Sequence, residues 1–183
     1  IRALAARLPG TAIVLDESFV SLSEHGHDTR VELPANVIRV RSLTKEFACP
    51  GLRIGLCRAQ PAWIARIERQ RPTWATSSPA LAALTASAGE GAFVHQSFAR
   101  MRVDREAVRQ LFVARGYRVH PSAASYQLVE VGDAARFTSR LRVHGVQVRD
   151  CSSFGLPAHV RVAALPEPAR RGLAAALDAV SNA

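Results

Sequence analysis

Apolar and polar residues alternate along this chain with a period that changes several times. Leu4, Ala5 and Leu8 fall on one side of a first helix, with Arg2 and Arg7 on the other. Ala12-Ile13-Val14-Leu15 is a continuous apolar run closed by Asp16-Glu17. It predicts a strand buried on both faces with acids at its carboxyl end, the end where ligands gather in α/β sheets. Residues 21–35 are polar and predict a solvated loop; their His25-Gly26-His27-Asp28 has no further ligands nearby, so no metal is assigned to it. Val37-Ile38-Arg39-Val40 predicts the next strand and runs directly into Ser42-Leu43-Thr44-Lys45. Pro50-Gly51 then breaks the chain before Arg53-Ile54-Gly55-Leu56.

Helical spacing returns at 61–71 and 79–88, then over a long amphipathic stretch from Phe93 to Arg115 that Gly116 should cap. That stretch is the candidate domain connector. Beyond it come strand-like Tyr126–Val131, a helix at 133–143, strands at Val146–Arg149 and His159–Ala163, and a closing helix from Pro166. The fold class expected is α/β with an incomplete, mostly parallel sheet, followed by a small α+β domain. Trp63 and Trp74 read as packing residues.

With 183 residues, 48% of them hydrophobic, the chain can bury a real core as one large domain or two small ones. No stretch approaches the roughly 18 uninterrupted apolar residues of a membrane helix, and no signal-peptide pattern opens the chain. No membrane association and a cytoplasmic location are therefore expected. The chain begins at Ile1 inside a helical pattern, which leads us to expect further chain upstream. Cys49, Cys57 and Cys151 are an odd number without a CxxC pair and read as reduced, buried thiols, neither disulfide nor zinc site.

The net charge of +9 raises the question of nucleic acid, but the arginines are scattered at helical spacing, as in Arg66-Ile67-Glu68-Arg69-Gln70-Arg71. No basic run or stacking aromatic series accompanies them, so no nucleic-acid partner is assigned. Phosphorylated small molecules suit the same charge. A narrower fact is that Lys45 is the single lysine among 24 Lys and Arg residues. Arginine cannot replace lysine where a deprotonated primary amine must attack a carbonyl, because guanidinium stays protonated.

Asp16 at one strand end, Ser42, Thr44 and Lys45 at another, and Arg53 eight residues on offer a carboxylate, two hydroxyls, an amine and a guanidinium. These suit pyridoxal phosphate. Its aldehyde needs a lysine for a Schiff base, its pyridine nitrogen an anion, and its phosphate donors and positive charge.

Taken together, Val14-Leu15-Asp16-Glu17-Ser18-Phe19 and Arg41-Ser42-Leu43-Thr44-Lys45 followed by Pro50-Gly51-Leu52-Arg53-Ile54-Gly55 resemble two motifs of one family. It is the histidinol-phosphate aminotransferase-like branch of the class I/II aminotransferases, which also includes threonine-phosphate decarboxylases of cobalamin synthesis. The resemblance covers essentially the whole chain. It implies pyridoxal phosphate as cofactor, Lys45 as its covalent attachment, Asp16 on the pyridine nitrogen, and Ser42, Thr44 and Arg53 on the phosphate. Phe19 stands where many members have a tyrosine bonded to the ring hydroxyl, so that bond should be absent, as decarboxylase-like members tolerate. Val148–Pro157 and Val160–Ala163 look like the family's arginine sites, implying Arg161 for a substrate's α-carboxylate and Arg149 for a distal phosphate or carboxylate. Ser125-Tyr126 departs from the family's common Asn before the aromatic.

By the same resemblance, residues 1–90 are the C-terminal part of a large cofactor-binding domain and 91–183 a small C-terminal domain. The implied activity is transamination of an amino acid or phosphorylated amine, with threonine-phosphate decarboxylation as the alternative. The family's N-terminal half, which supplies the phosphate loop and further strands, has no place in this chain. An open sheet edge is therefore expected, to be completed by a homodimer partner or a complementing N-terminal half. A noncatalytic basic module that binds an anionic partner remains the competing class.

Overall fold

The computed structural model describes residues 1–24 and 31–181, so His25–Asp28 lie outside the described residues. Two compact units result, residues 1–95 and 96–183. In the first, helix α1 (Arg2–Arg7) buries Ala5 and precedes strand β1 (Ile13–Asp16). Strand β2 (Val37–Ser42) lies parallel to it, with Ile13 opposite Val37 and Asp16 opposite Val40. The two carboxyl ends therefore share one edge of the sheet.

β1 departs from the expectation of burial on both faces. Ile13 and Leu15 are half-buried, but Val14 is 63% exposed. Among the described residues β1 pairs on one side only, and Val14 faces solvent. Strand β3 (Gly55–Arg58) was not foreseen; it returns antiparallel along the other side of β2, with Gly55 opposite Ser42. All four of its residues are exposed, so burial left no apolar pattern to read. Its pairing depends on the backbone approach at Gly55, where an added Cβ would stand 2.7 Å from the Arg41 carbonyl oxygen.

Between β2 and β3 lie the one-turn helix α2 (Leu43–Glu46) and a 3-10 turn at Pro50–Leu52. Leu43, Ile54 and Ala80 form a small core there, with Phe47, Leu52 and Leu84 packed on it. Helix α3 (Pro61–Glu68) starts with proline at its first position, and α4 (Ser78–Ser87) is capped by Ser77, whose hydroxyl accepts the Ala80 N–H. Trp63 is half-buried and donates to the Ala35 carbonyl. Trp74 corrects the packing expectation: it is 93% exposed and has a positive φ of 62°.

Helix α5 (Gly91–Val113) ends where Gly116 takes a φ of 81°, freeing the Tyr117 N–H to bond the Phe112 carbonyl. The second unit is a four-stranded antiparallel sheet in the order β4 (Arg118–Val119), β5 (Tyr126–Glu130), β7 (His159–Ala163), β6 (Arg149–Asp150). Strict alternation buries Val129, Val160 and Val162 with Phe112, Leu141 and Leu177. Helix α6 (Ala134–Val143), capped by Asp133, and α7 (Glu167–Ser181) bring apolar faces to that core. Burying such a leucine or phenylalanine side chain contributes about 1.5–3 kcal/mol.

The strand expected at Val146–Arg149 is shorter and later. Val146 donates to Leu141 in closing α6, and Val148 packs into the core, so ladder pairing begins only at Arg149. The cysteines are free, but only Cys151 is buried; Cys49 is half-buried and Cys57 lies exposed on β3, against the expectation. Burial pushes the Cys151 thiol above its ordinary value, which keeps it protonated at neutral pH. No described helix is long and apolar enough to cross a membrane.

Candidate active site

Parallel pairing of β1 and β2 places Asp16 opposite Val40, two residues before Ser42, and the Glu17 N–H bonds the Val40 carbonyl at 2.8 Å. The chain turns sharply after Asp16. Its Oδ1 accepts from the Ser18 hydroxyl at 2.5 Å and the Ser18 N–H at 2.8 Å. Those two bonds, the hydroxyl first, hold the Asp16 carboxyl below the usual carboxylate range, so it stays ionised near neutrality. Oδ2 makes no hydrogen bond among the described residues and remains available to a partner. Phe19 follows, and its ring centroid lies 5.7 Å from the Lys45 amine.

β2 passes straight into α2, so neighbouring side chains diverge. Thr44 and Glu46 are buried while Lys45 between them is exposed. The Ser42 and Thr44 hydroxyls stand 2.7 Å apart; one O–H is spent between them and the other is left for an anion. Leu43 donates to the Ile54 carbonyl at 3.2 Å, which brings Arg53 beside this turn. Arg53 adopts a left-handed φ of 50°, uncommon for a residue with a side chain, and its Nη1 donates to the Pro50 carbonyl. Asp16, Phe19, Ser42, Thr44, Lys45 and Arg53 thus all belong to one edge of the first unit.

Beneath Lys45 lies a polar cluster that the sequence reading passed over. Buried Glu46 accepts from Arg41 Nε at 2.5 Å and from the Ser21 hydroxyl at 2.6 Å. Three segments meet at this one carboxylate: β2, α2 and the 3-10 turn at Val20–Leu22 after Asp16. A second buried pair, Glu17 with Arg39 at 2.7 Å, ties the end of β1 to β2, and Arg39 also donates to the Val31 carbonyl. The available signal was Arg39 and Arg41 inside the strand Val37–Ser42, since charges in a buried strand need partners.

Arg149 and Arg161 belong to the second unit, where antiparallel β6 and β7 set them directly opposite each other. Both are exposed. Arg149 donates to the Ser153 hydroxyl and lies over Phe154 at 5.3 Å; Arg161 lies over Tyr126 at 4.9 Å. Neither forms an ion pair among the described residues. Like charges placed opposite each other across a ladder repel, and an anion between them removes that cost.

The profile of the aminotransferase class I and II family matches residues 1–180. The chain belongs to this family. The chain is 33% identical over 155 residues to the histidinol-phosphate aminotransferase of Haloferax volcanii, covering 83% of the chain and 42% of that relative. It superposes on the histidinol-phosphate aminotransferase of Sinorhizobium meliloti in complex with pyridoxal-5'-phosphate with a TM-score of 0.83 and 25% identity, over 98% of this chain and 51% of that one. The L-threonine-O-3-phosphate decarboxylase of Porphyromonas gingivalis shares the fold, with a TM-score of 0.76 and 24% identity over 99% of this chain and 58% of that one. The chain spans about half the length of the curated relatives it matches.

Proposed function

We propose that this chain is the lysine-bearing half of a pyridoxal-phosphate-dependent aminotransferase of the histidinol-phosphate aminotransferase type, acting on an amino acid or a phosphorylated amine. The observation that carries the reading is Lys45 itself: the single lysine, exposed on a one-turn helix at a strand's carboxyl end, beside a paired Ser42–Thr44 hydroxyl set. The donor set fits the cofactor. Ser42, Thr44 and Arg53 would hold its phosphate, Asp16 Oδ2 its ring nitrogen, and Lys45 its aldehyde carbon. Phe19 offers the ring an apolar neighbour and no hydroxyl.

Bound there, pyridoxal phosphate supplies an electron sink for charge developing at the substrate's Cα. The chain's own residues do the rest. Asp16, kept ionised by Ser18, would pair with the ring nitrogen. The Lys45 amine would hold the cofactor and, when free, serve as the general base for the substrate's Cα proton. Arg161 would clamp the α-carboxylate and Arg149 a distal phosphate or carboxylate, each offering the planar fork that such oxygens match. The repulsion between these two opposed guanidiniums supports their service to anions.

The remaining length of the family fold would come from chain beyond these residues or from a complementing polypeptide, and a second copy could join as a homodimer partner. Strands β1 and β3, each paired on one side among the described residues, are edges such a partner could extend. A second reading, decarboxylation of a phosphorylated amino acid, is favoured by Phe19, which denies the ring a hydroxyl partner. The orientation that Arg149 and Arg161 would impose on a substrate would decide which Cα bond the cofactor activates.

The test is the visible absorption of the chain with added pyridoxal phosphate beside Lys45→Ala. A Lys45-dependent band is expected, and unphosphorylated pyridoxal should compete poorly. The same band in Lys45→Ala, or none in either protein, would refute the reading. A carbonyl product in place of the substrate amine, with the amino group passed to a keto acid acceptor, then marks transamination, and carbon dioxide release the second reading.

A further inference from the structure

On the outer face of the second sheet, opposite buried Val160 and Val162, three residues distant in sequence come together. His120 follows β4, Glu130 ends β5 and His159 begins β7. Backbone pairing holds them: Glu130 is opposite His159 in the ladder, and the His120 N–H bonds the Leu128 carbonyl at 2.9 Å. One ligand atom from each of the three lies within 4.8 Å of the others. The His120 and His159 Nε2 atoms face each other at 3.3 Å, with rings tilted by 47°.

We propose that His120, Glu130 and His159 form a binding site for a divalent transition-metal ion, zinc being the best match. Two imidazole nitrogens at about 2.0–2.1 Å from a tetrahedral zinc ion lie about 3.3–3.4 Å apart. The observed Nε2 separation already has this value. Two imidazoles and a carboxylate are a donor set zinc takes readily, leaving one position for water. Glu130 is the ligand that must move, and its exposed side chain is free to rotate inward.

The plain alternative is one imidazole-to-imidazole hydrogen bond. That bond uses the lone pair of only one facing Nε2; His159 Nδ1, buried with no hydrogen-bond partner among the described residues, would carry that ring's proton when Nε2 ligates an ion. An ion would use the lone pairs of both facing nitrogens at once. Glu130's present partner, Arg118 at 3.7 Å, forms a solvent-exposed pair that rearranges readily. Arg118 and Arg161 add positive charge nearby, which weakens the site's hold on a cation. The bound ion would brace β4, β5 and β7 together, on the face that carries Arg161 two residues beyond His159.

The test titrates zinc chloride into chelator-treated protein without pyridoxal phosphate, by calorimetry, and follows thermal unfolding by circular dichroism. One ion per chain and a raised midpoint are expected, with His120→Gln and His159→Gln each weakening binding by roughly tenfold or more. No stoichiometric binding, or binding unchanged in His159→Gln, would overturn the proposal. Cobalt(II) added to the unmodified protein gives a readout independent of any variant's folding. Strong visible bands of a tetrahedral ion are expected, and the weak spectrum of hydrated cobalt would also overturn it.

Discussion

Glu46 should be the most sensitive polar residue of the first unit. Its side chain is 3% exposed and receives Arg41 and Ser21, so Glu46→Ala strands a guanidinium and a buried hydroxyl together. Breaking one side of a fully buried ion pair costs about 3–5 kcal/mol. Arg41 keeps 24% of its exposure, and that water contact offsets part of the loss. The unpaired Ser21 hydroxyl adds a penalty of about 1 kcal/mol, which gives a total destabilisation of about 2–4 kcal/mol. The assay is urea unfolding followed by tryptophan fluorescence, because both tryptophans, Trp63 and Trp74, belong to the first unit. Arg41→Met with Glu46→Leu, which removes both charges, should recover part of the loss. A cost below about 1 kcal/mol for Glu46→Ala, or a double variant no better than the single, would refute the assignment of Glu46 as the buried clamp beneath Lys45.

Ser18→Ala should raise the Asp16 pKa toward its ordinary value, read by NMR titration of the carboxyl carbon, since the Ser18 hydroxyl is the first cause of its depression. The sign follows from linkage: a depressed carboxylate contributes stability above its unfolded pKa, and that contribution fades as pH falls through the folded value, at higher pH in the variant. Gly55→Ala should destabilise the first unit and weaken cofactor binding at equilibrium dialysis, because its Cβ would lie 2.7 Å from the Arg41 oxygen and force β3 away from β2. Arg161→Met should slightly raise the thermal stability of the second unit by relieving the repulsion with Arg149, while abolishing stabilisation by added phosphate. A fall in stability would show that the pair is held by something other than an anion.

The second unit was largely legible because its periods are clean. His159–Ala163 alternates strictly, and Gly116 and Asp133 are end signals with a direct backbone role, whereas Tyr126–Glu130 buries polar Gln127 beside Val129. The first unit was harder. β1 reads as doubly buried yet exposes Val14, and β3 carries no pattern because it is held by backbone pairing through a glycine. The site motif was legible as residue types at a spacing, since each of its groups answers a chemical need. Its support was not: Glu46 sits next to Lys45 in sequence, but its partners Ser21 and Arg41 are named only by the fold. The His120–Glu130–His159 group was equally hidden, because strand pairing rather than local spacing assembles it.

The central claim is that Lys45 is the residue on which this chain holds pyridoxal phosphate. Borohydride reduction of the mixed chain and cofactor, followed by peptide mass analysis, tests it most directly. The account requires a single pyridoxyl group on Lys45, lost in Lys45→Arg. A label confined to the amino terminus of Ile1, or no label at all, would contradict it.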